Sequence, residues 1–203
     1  MARPRNQTAR RSQIVHAAMT AIATRGLAGL RIKDVAQSAG LSAGSVSYYF
    51  SELDDLVREV HRHAVDRFYW ERLREAEACA DPRQKLVRAL RSGLPRADGD
   101  LEYRVLCEMH AQACRDQFHA QLMSNLFNRE VSLYLPILTM GAQHGVFELA
   151  APELTISRNL VALEDSYGLH LLGGLSLSLE EAYGLLISYA EAATGTRLEV
   201  EVG

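Results

Sequence analysis

Apolar residues return every three or four positions along almost the whole chain, with polar residues filling the intervals, so the pattern predicts helices and gives no strand alternation. Ile14, Ala17, Ala18, Ala21, Ile22 and Leu27 form the first stripe, and Gly26 is a plausible stop. A second, short segment from Ile32 to Ala39 turns Val35 and Ala36 inward and ends at Gly40. Ser42 is placed to cap a third segment that starts at Ala43 and ends near Phe50, with Val46 and Phe50 on its inner side. From Leu53 the stripe Leu56, Val57, Val60, Ala64, Phe68 and Leu73 predicts one long helix. Pro82 opens a fifth helix that reaches about Leu94, and the sixth and seventh cover roughly Leu101 to Arg115 and Phe118 to His144, with a kink expected at Pro136. The eighth runs from Glu153 to Leu172, Gly173 and Gly174 break it, and Ser178 with Glu181 forms a capping-box pattern for a ninth that ends at Gly195. The expected fold is all-α, about nine helices, with a boundary between residues 52 and 53.

Charge changes this picture. The chain carries a formal −3, yet residues 1–50 hold seven Lys/Arg against one Asp/Glu, a net of +6, while the remainder holds fifteen against twenty-four, a net of −9. A basic head on an acidic body points to a polyanion as the partner of the head, because Lys and Arg supply the sequence-independent part of nucleic-acid affinity. Cys79, Cys107 and Cys114 form no CxxC pair, which suits a reducing cytoplasm, and no disulfide is expected. No apolar run approaches the ~20 residues that span a bilayer, and the basic first residues lack the apolar stretch of a signal peptide. A cytoplasmic protein with no membrane partner is the expectation.

Two short helices joined by Gly40-Leu41-Ser42 in a basic head meet the spatial requirement of a helix-turn-helix, in which one helix crosses the DNA backbone and the next enters the major groove. The segment IKDVAQSAGLSAGSVSYYF resembles the DNA-binding signature of the tetracycline-repressor (TetR) family, with Ala36, Gly40, Leu41, Gly44 and Phe50 at the small, turn, apolar, close-approach and aromatic positions of that pattern. LEDSYGLHLLGG with EEAYGLLISYAEAATG resembles, more loosely, the subgroup typified by the betaine-pathway repressor BetI. The resemblance implies residues 1–52 as a DNA-binding domain and residues 53–203 as a helical ligand-binding and dimerisation domain. Arg31, Lys33, Ser42, Ala43, Gly44, Ser45, Ser47, Tyr48 and Tyr49 are the candidate DNA-facing residues. Gly44 permits close approach to a phosphate, the serines can donate to phosphate oxygens, and the two tyrosines present hydroxyls and rings, unless one of them packs under the helix. Two positions depart from the family pattern: Ser47 replaces a usual tyrosine and Leu53 a common lysine. Arg3, Arg5, Arg10 and Arg11 either offset these losses as an arm in a minor groove or stay solvated.

In the body, Leu160, Leu163, Leu171, Leu185, Leu186 and Tyr189 give the last two helices more apolar surface than one covered face needs. The excess either packs internally or joins a two-fold copy in a four-helix interface, and a dimer reads a palindromic site better than one head does. Tyr103, Cys107, His110, Phe127, Tyr134, Glu164 and Asp165 are candidates to line an effector cavity. Carboxylates in an apolar helix need a partner, so Glu164 and Asp165 either pair within the protein or favour a cationic small molecule. Cys107, His110 and Cys114 share a helical face, but no fourth metal ligand is evident; no metal and no cofactor are expected.

The sequence therefore reads as a ligand-responsive DNA-binding regulator, of repressor type, that works as a homodimer. The rival is a helical enzyme such as a hydrolase using a histidine with Asp165 or Glu164. No GxSxG elbow, HExxH helix or phosphate-cradling loop supports it, and no catalytic residue is assigned.

Overall fold

A computed structural model describes residues 4–96, 100–174 and 176–198, with side chains from residue 7 onward. Among these residues there are nine α-helices and no strand: α1 Pro4–Arg25, α2 Ile32–Ala39, α3 Ala43–Tyr49, α4 Leu53–Glu77, α5 Pro82–Ser92, α6 Leu101–Ala113, α7 Gln117–Gln143, α8 Glu153–Leu172 and α9 Leu179–Thr194. The ends are set by local chemistry. Gly40 closes α2 at φ 66°, where its amide reaches back to the last carbonyls of the helix, a left-handed conformation that costs a side-chain-bearing residue more than glycine. Ser42 caps α3 by accepting the Ser45 amide, Asp81 caps α5 ahead of Pro82, and Ser178 and Glu181 close a reciprocal capping box on α9.

α1 begins at Pro4, well ahead of Ile14, where the apolar stripe starts. The stretch that reads as a basic arm is thus helix from Pro4 onward, because arginine, glutamine and alanine extend a helix without needing a buried face. α7 is one helix that contains Pro136.

The chain forms two compact units: Met1–Arg67 with Leu101–Met123, and Phe68–Asp100 with Ser124–Gly203. In the first, α1 packs on α2 and α6, and α2 on α3. Ile14, Met19 and Ile22 of α1, Val35 of α2, Val46 of α3, Leu56 and Val60 of α4, and Met109 of α6 are fully buried. In the second, α9 packs on α5 and α8, around a core that includes Leu86, Leu90, Leu138, Ile156, Val161 and Ala190. The segment after α7 is held to the end of α9 by backbone bonds from Glu148 to Thr194 and from Ala150 to Ala193.

Burial corrects one expectation about association. Leu160 and Leu186, expected to face a second copy, are fully buried in the core of their own unit and have no surface left to offer. Leu163, Leu171 and Tyr189 are partly buried against that core, and Tyr189 accepts a hydrogen bond from Asn159 at 2.9 Å. Leu185 is 47% exposed, and Leu154 and Leu169 of α8 and Leu179 of α9 are exposed as well.

Candidate nucleic-acid interface and buried polar cluster

Two-faced packing builds the interface. On α3, Val46 and the flanking Phe50 are buried, which fixes the helix against the head and turns the opposite side outward. Ser42, Ala43, Gly44, Ser45, Ser47 and Tyr48 are all exposed, Tyr48 at 76%, while Tyr49 is half-buried. The Tyr48 and Tyr49 rings meet edge to face with centroids 5.2 Å apart. A side chain at Gly44 would meet nothing within the chain, so internal packing does not require glycine there. Ser42 and Ser45 are partly committed to each other: their hydroxyls lie 2.8 Å apart and the Ser42 hydroxyl accepts the Ser45 amide at 3.1 Å. Arg31 and Lys33 are exposed at the entry to α2, where the Arg31 amide donates to Asp34.

The basic N-terminal residues have more than one task. Arg11 donates to the Tyr49 carbonyl at 3.3 Å and stacks over the Phe50 ring at 4.2 Å, so it braces α3 from α1. Gln13 likewise donates to the Ala39 carbonyl at the end of α2. Arg10 is bound to Gln13. Arg3 lies outside the described residues, and Arg5 is placed by its backbone within α1.

The first unit also holds a pair that periodicity does not reveal. His61 of α4 is buried, unlike exposed His63, and its Nδ1 lies 2.8 Å from Nδ1 of buried His119 on α7, so one ring donates and the other accepts. On its other side, His61 Nε2 lies 3.2 Å from the Met123 sulfur. Burial, then the neighbouring His119 and His110, push His61 down to about 3, and burial lowers His119 too, so both are neutral rings in the folded protein at neutral pH.

Of the effector candidates, Tyr103, Cys107 and His110 belong to the first unit, and Phe127, Tyr134, Glu164 and Asp165 to the second. Tyr103 is buried, Cys107 and His110 are half-buried, and Phe127 packs partly buried against the second core. Glu164 does not wait for an outside cation. Arg72 of α4 donates through Nη2 to both of its oxygens, at 2.9 and 2.8 Å. Tyr134 of α7 donates to the same carboxylate, and Arg72 Nη1 donates to Glu130, one turn before Tyr134. Arg72 also reaches the Ala89 carbonyl of α5 at 3.3 Å. Gly93 makes room for this cluster: a Cβ there would fall 2.1 Å from the Glu164 carboxyl group.

Two carboxylates face one guanidinium in a site closed to water. Burial pushes Glu130 up to about 8 and Glu164 up to about 7, with Arg72 pulling both back. Burial also works against the Arg72 charge, but Glu164, Tyr134 and Glu130 outweigh it and hold the guanidinium charged. Burial therefore favours a proton on this pair of glutamates, and Arg72 opposes it.

Among the described residues, no group of three or more His, Cys, Asp or Glu is arranged to hold a metal ion, and no helix is long and apolar enough to cross a membrane.

Comparison with known proteins bears on the head first. Residues 14–60 match the model of the bacterial regulatory proteins of the tetR family. Over those residues the head is similar to the members of that family. Over 79 residues the chain is 42% identical to the HTH-type transcriptional regulator BetI of Paraburkholderia xenovorans, a match that covers 38% of this chain and 40% of that protein. The similarity thus spans about two fifths of the length of this curated relative. The tetR-family likeness extends further in the HTH-type transcriptional repressor KstR2 of Mycolicibacterium smegmatis, 28% identical over 163 residues, covering 75% of this chain and 73% of that one. Beyond the head, the whole architecture aligns with a transcriptional regulator from Saccharomonospora viridis solved in complex with choline, at a TM-score of 0.83 and 25% identity, over 91% of this chain and 96% of that one.

Proposed function

We propose that this chain is a DNA-binding transcriptional regulator of repressor type, acting as a homodimer on a palindromic operator and retuned by a small molecule. The observation that carries the reading is the outer face of α3, where Tyr48 stands 76% exposed between buried Val46 and Phe50 in a tetR-like head of net +6. Residues 1–52 serve DNA binding in this reading, and residues 53–203 serve effector binding and dimerisation. Arg31, Lys33, Ser42, Ala43, Gly44, Ser45, Ser47, Tyr48 and Tyr49 form the DNA face. Contacts to phosphate position such a head, and base contacts select its site.

The dimer uses α8 and α9, now through Leu163, Leu171, Leu185 and Tyr189 together with exposed Leu169 and Leu179. The effector class is a small organic cation. The choline held by the Saccharomonospora viridis relative supports that class; Glu130 and Glu164 are already matched by Arg72 and do not serve as its counter-charge. An effector that releases DNA must bind the free dimer more tightly than the operator complex, with a coupling of ~1 to 3 kcal/mol. Titration of a duplex from the upstream region of its own gene, with and without choline, tests the reading: tight dimer binding that choline weakens supports it, and binding no tighter than to an unrelated duplex overturns it.

A further inference from the structure

The turn between α1 and α2 positions the helix-turn-helix, and its own backbone does not satisfy all of its polar groups. Gly26, at φ +75°, bonds back to the Ile22 carbonyl, and Leu30 bonds to the Leu27 carbonyl. The amide of half-buried Leu27 instead donates to Glu108 Oε2 on α6, 81 residues away, at 3.0 Å. A Cβ at Gly26 would lie 3.6 Å from the Glu108 carboxylate, in ordinary contact, so the carboxylate sits against the turn and it is the positive φ, not lack of space, that calls for glycine there. From that turn the connections run onward into α2: Arg25 pairs with Asp34 at 3.0 Å, and Asp34 accepts the Arg31 amide at 2.9 Å.

We infer that Glu108 is a positioning residue for DNA binding, fixing the pose of α2 and α3 from α6 by accepting the Leu27 amide. The inference rests on the regulator reading above. Glu108 itself faces no phosphate in this role. Its negative charge, if anything, opposes a polyanion, whereas its acceptor oxygen favours binding by holding the turn. Charge and geometry therefore have opposite signs at this residue, which makes the two separable.

The test compares Glu108→Gln with Glu108→Leu in the full chain. Both remove the same charge, but only glutamine keeps an acceptor of the same reach. Amide hydrogen exchange should quicken about tenfold at Leu27 and through Ile32–Ala39 in the leucine variant alone, with α9 unchanged, as expected when a part-buried donor loses its acceptor. The leucine variant should also bind the upstream duplex about tenfold more weakly than the glutamine variant. Equal exchange at Leu27 and α2 in the two variants overturns the assignment. If the unaltered chain fails to prefer that duplex, the regulator reading falls on its own, and the exchange comparison still decides whether Glu108 holds the head. Equal duplex affinity of the two variants, in a protein that does bind, overturns the assignment even if exchange differs.

Discussion

Arg72 and Glu164, 92 residues apart, form an ion pair at 2.8 Å in which each side chain is only 1% exposed. Removing one partner of such a pair leaves the other charge buried and unmatched, at a cost of about 3 to 5 kcal/mol. Arg72→Met should lower the urea midpoint of unfolding accordingly. Glu164→Gln, which keeps the shape and an acceptor, should cost less than Glu164→Leu. Equal stability of Arg72→Met and the parent protein would show that the ion pair contributes nothing.

Gly93 gives the same cluster a steric test. A methyl group there collides with the Glu164 carboxyl, and forcing the carboxylate aside disturbs its bonds to Arg72 and Tyr134. Gly93→Ala should destabilise by about 1 to 3 kcal/mol, the usual range for overpacking, although alanine is otherwise the better helix former at a helix end. A neutral or stabilising result in thermal unfolding would contradict the close approach of Gly93 to Glu164.

The two buried clusters predict opposite responses to pH. A carboxyl with a raised pKa holds a proton in the folded state that the unfolded chain releases above about 4.5, so the Glu130 contribution is complete in acid and is lost as pH rises through about 8. Glu130→Gln should flatten this loss between about pH 4.5 and about pH 8. A histidine with a lowered pKa resists a proton that the unfolded chain accepts below about 6.5, so the His61 contribution is present above that pH and is lost on acidification toward about 3. Urea midpoints measured across this range, with Glu130→Gln and with His61→Asn, check both signs; a His61→Asn variant as acid-sensitive as the parent would show that His61 makes no such contribution.

Much of the fold was legible because its signals are local. Ser42, Pro82 and the Ser178 and Glu181 pair each sit at the helix start that their chemistry marks, and the αL glycine at Gly40 ends α2 as expected. What stayed hidden was either non-periodic or distant in sequence. Residues from Pro4 to Ser12 lack an apolar stripe, so hydrophobic spacing alone could not extend α1 over them. Glu164 was visible as a carboxylate in need of a partner, but Arg72 reads as one more charged residue on a long helix until α4, α7 and α8 come together. Leu160 and Leu185 look alike in the sequence, yet one is fully buried and the other 47% exposed.

On the proposed DNA face, Lys33 and Tyr48 are expected to make two kinds of contact. Lys33→Ala should weaken duplex binding across all sequences and reduce the salt slope by about one ion, since it removes one phosphate contact. Tyr48→Ala should weaken binding with little change in that slope. Neither substitution should shift thermal unfolding by more than about 0.5 kcal/mol, because both side chains are exposed.

Whether the outer face of α3 reads DNA is decided by fluorescence anisotropy across a salt series. The full chain is titrated against a duplex from its own upstream region and against an unrelated duplex of equal length. A DNA-reading α3 should give saturable binding with the stoichiometry of a dimer, a clear preference for the upstream duplex, and loss of that preference in Tyr48→Ala. Equal, weak binding to both duplexes that Tyr48→Ala leaves unchanged would contradict it.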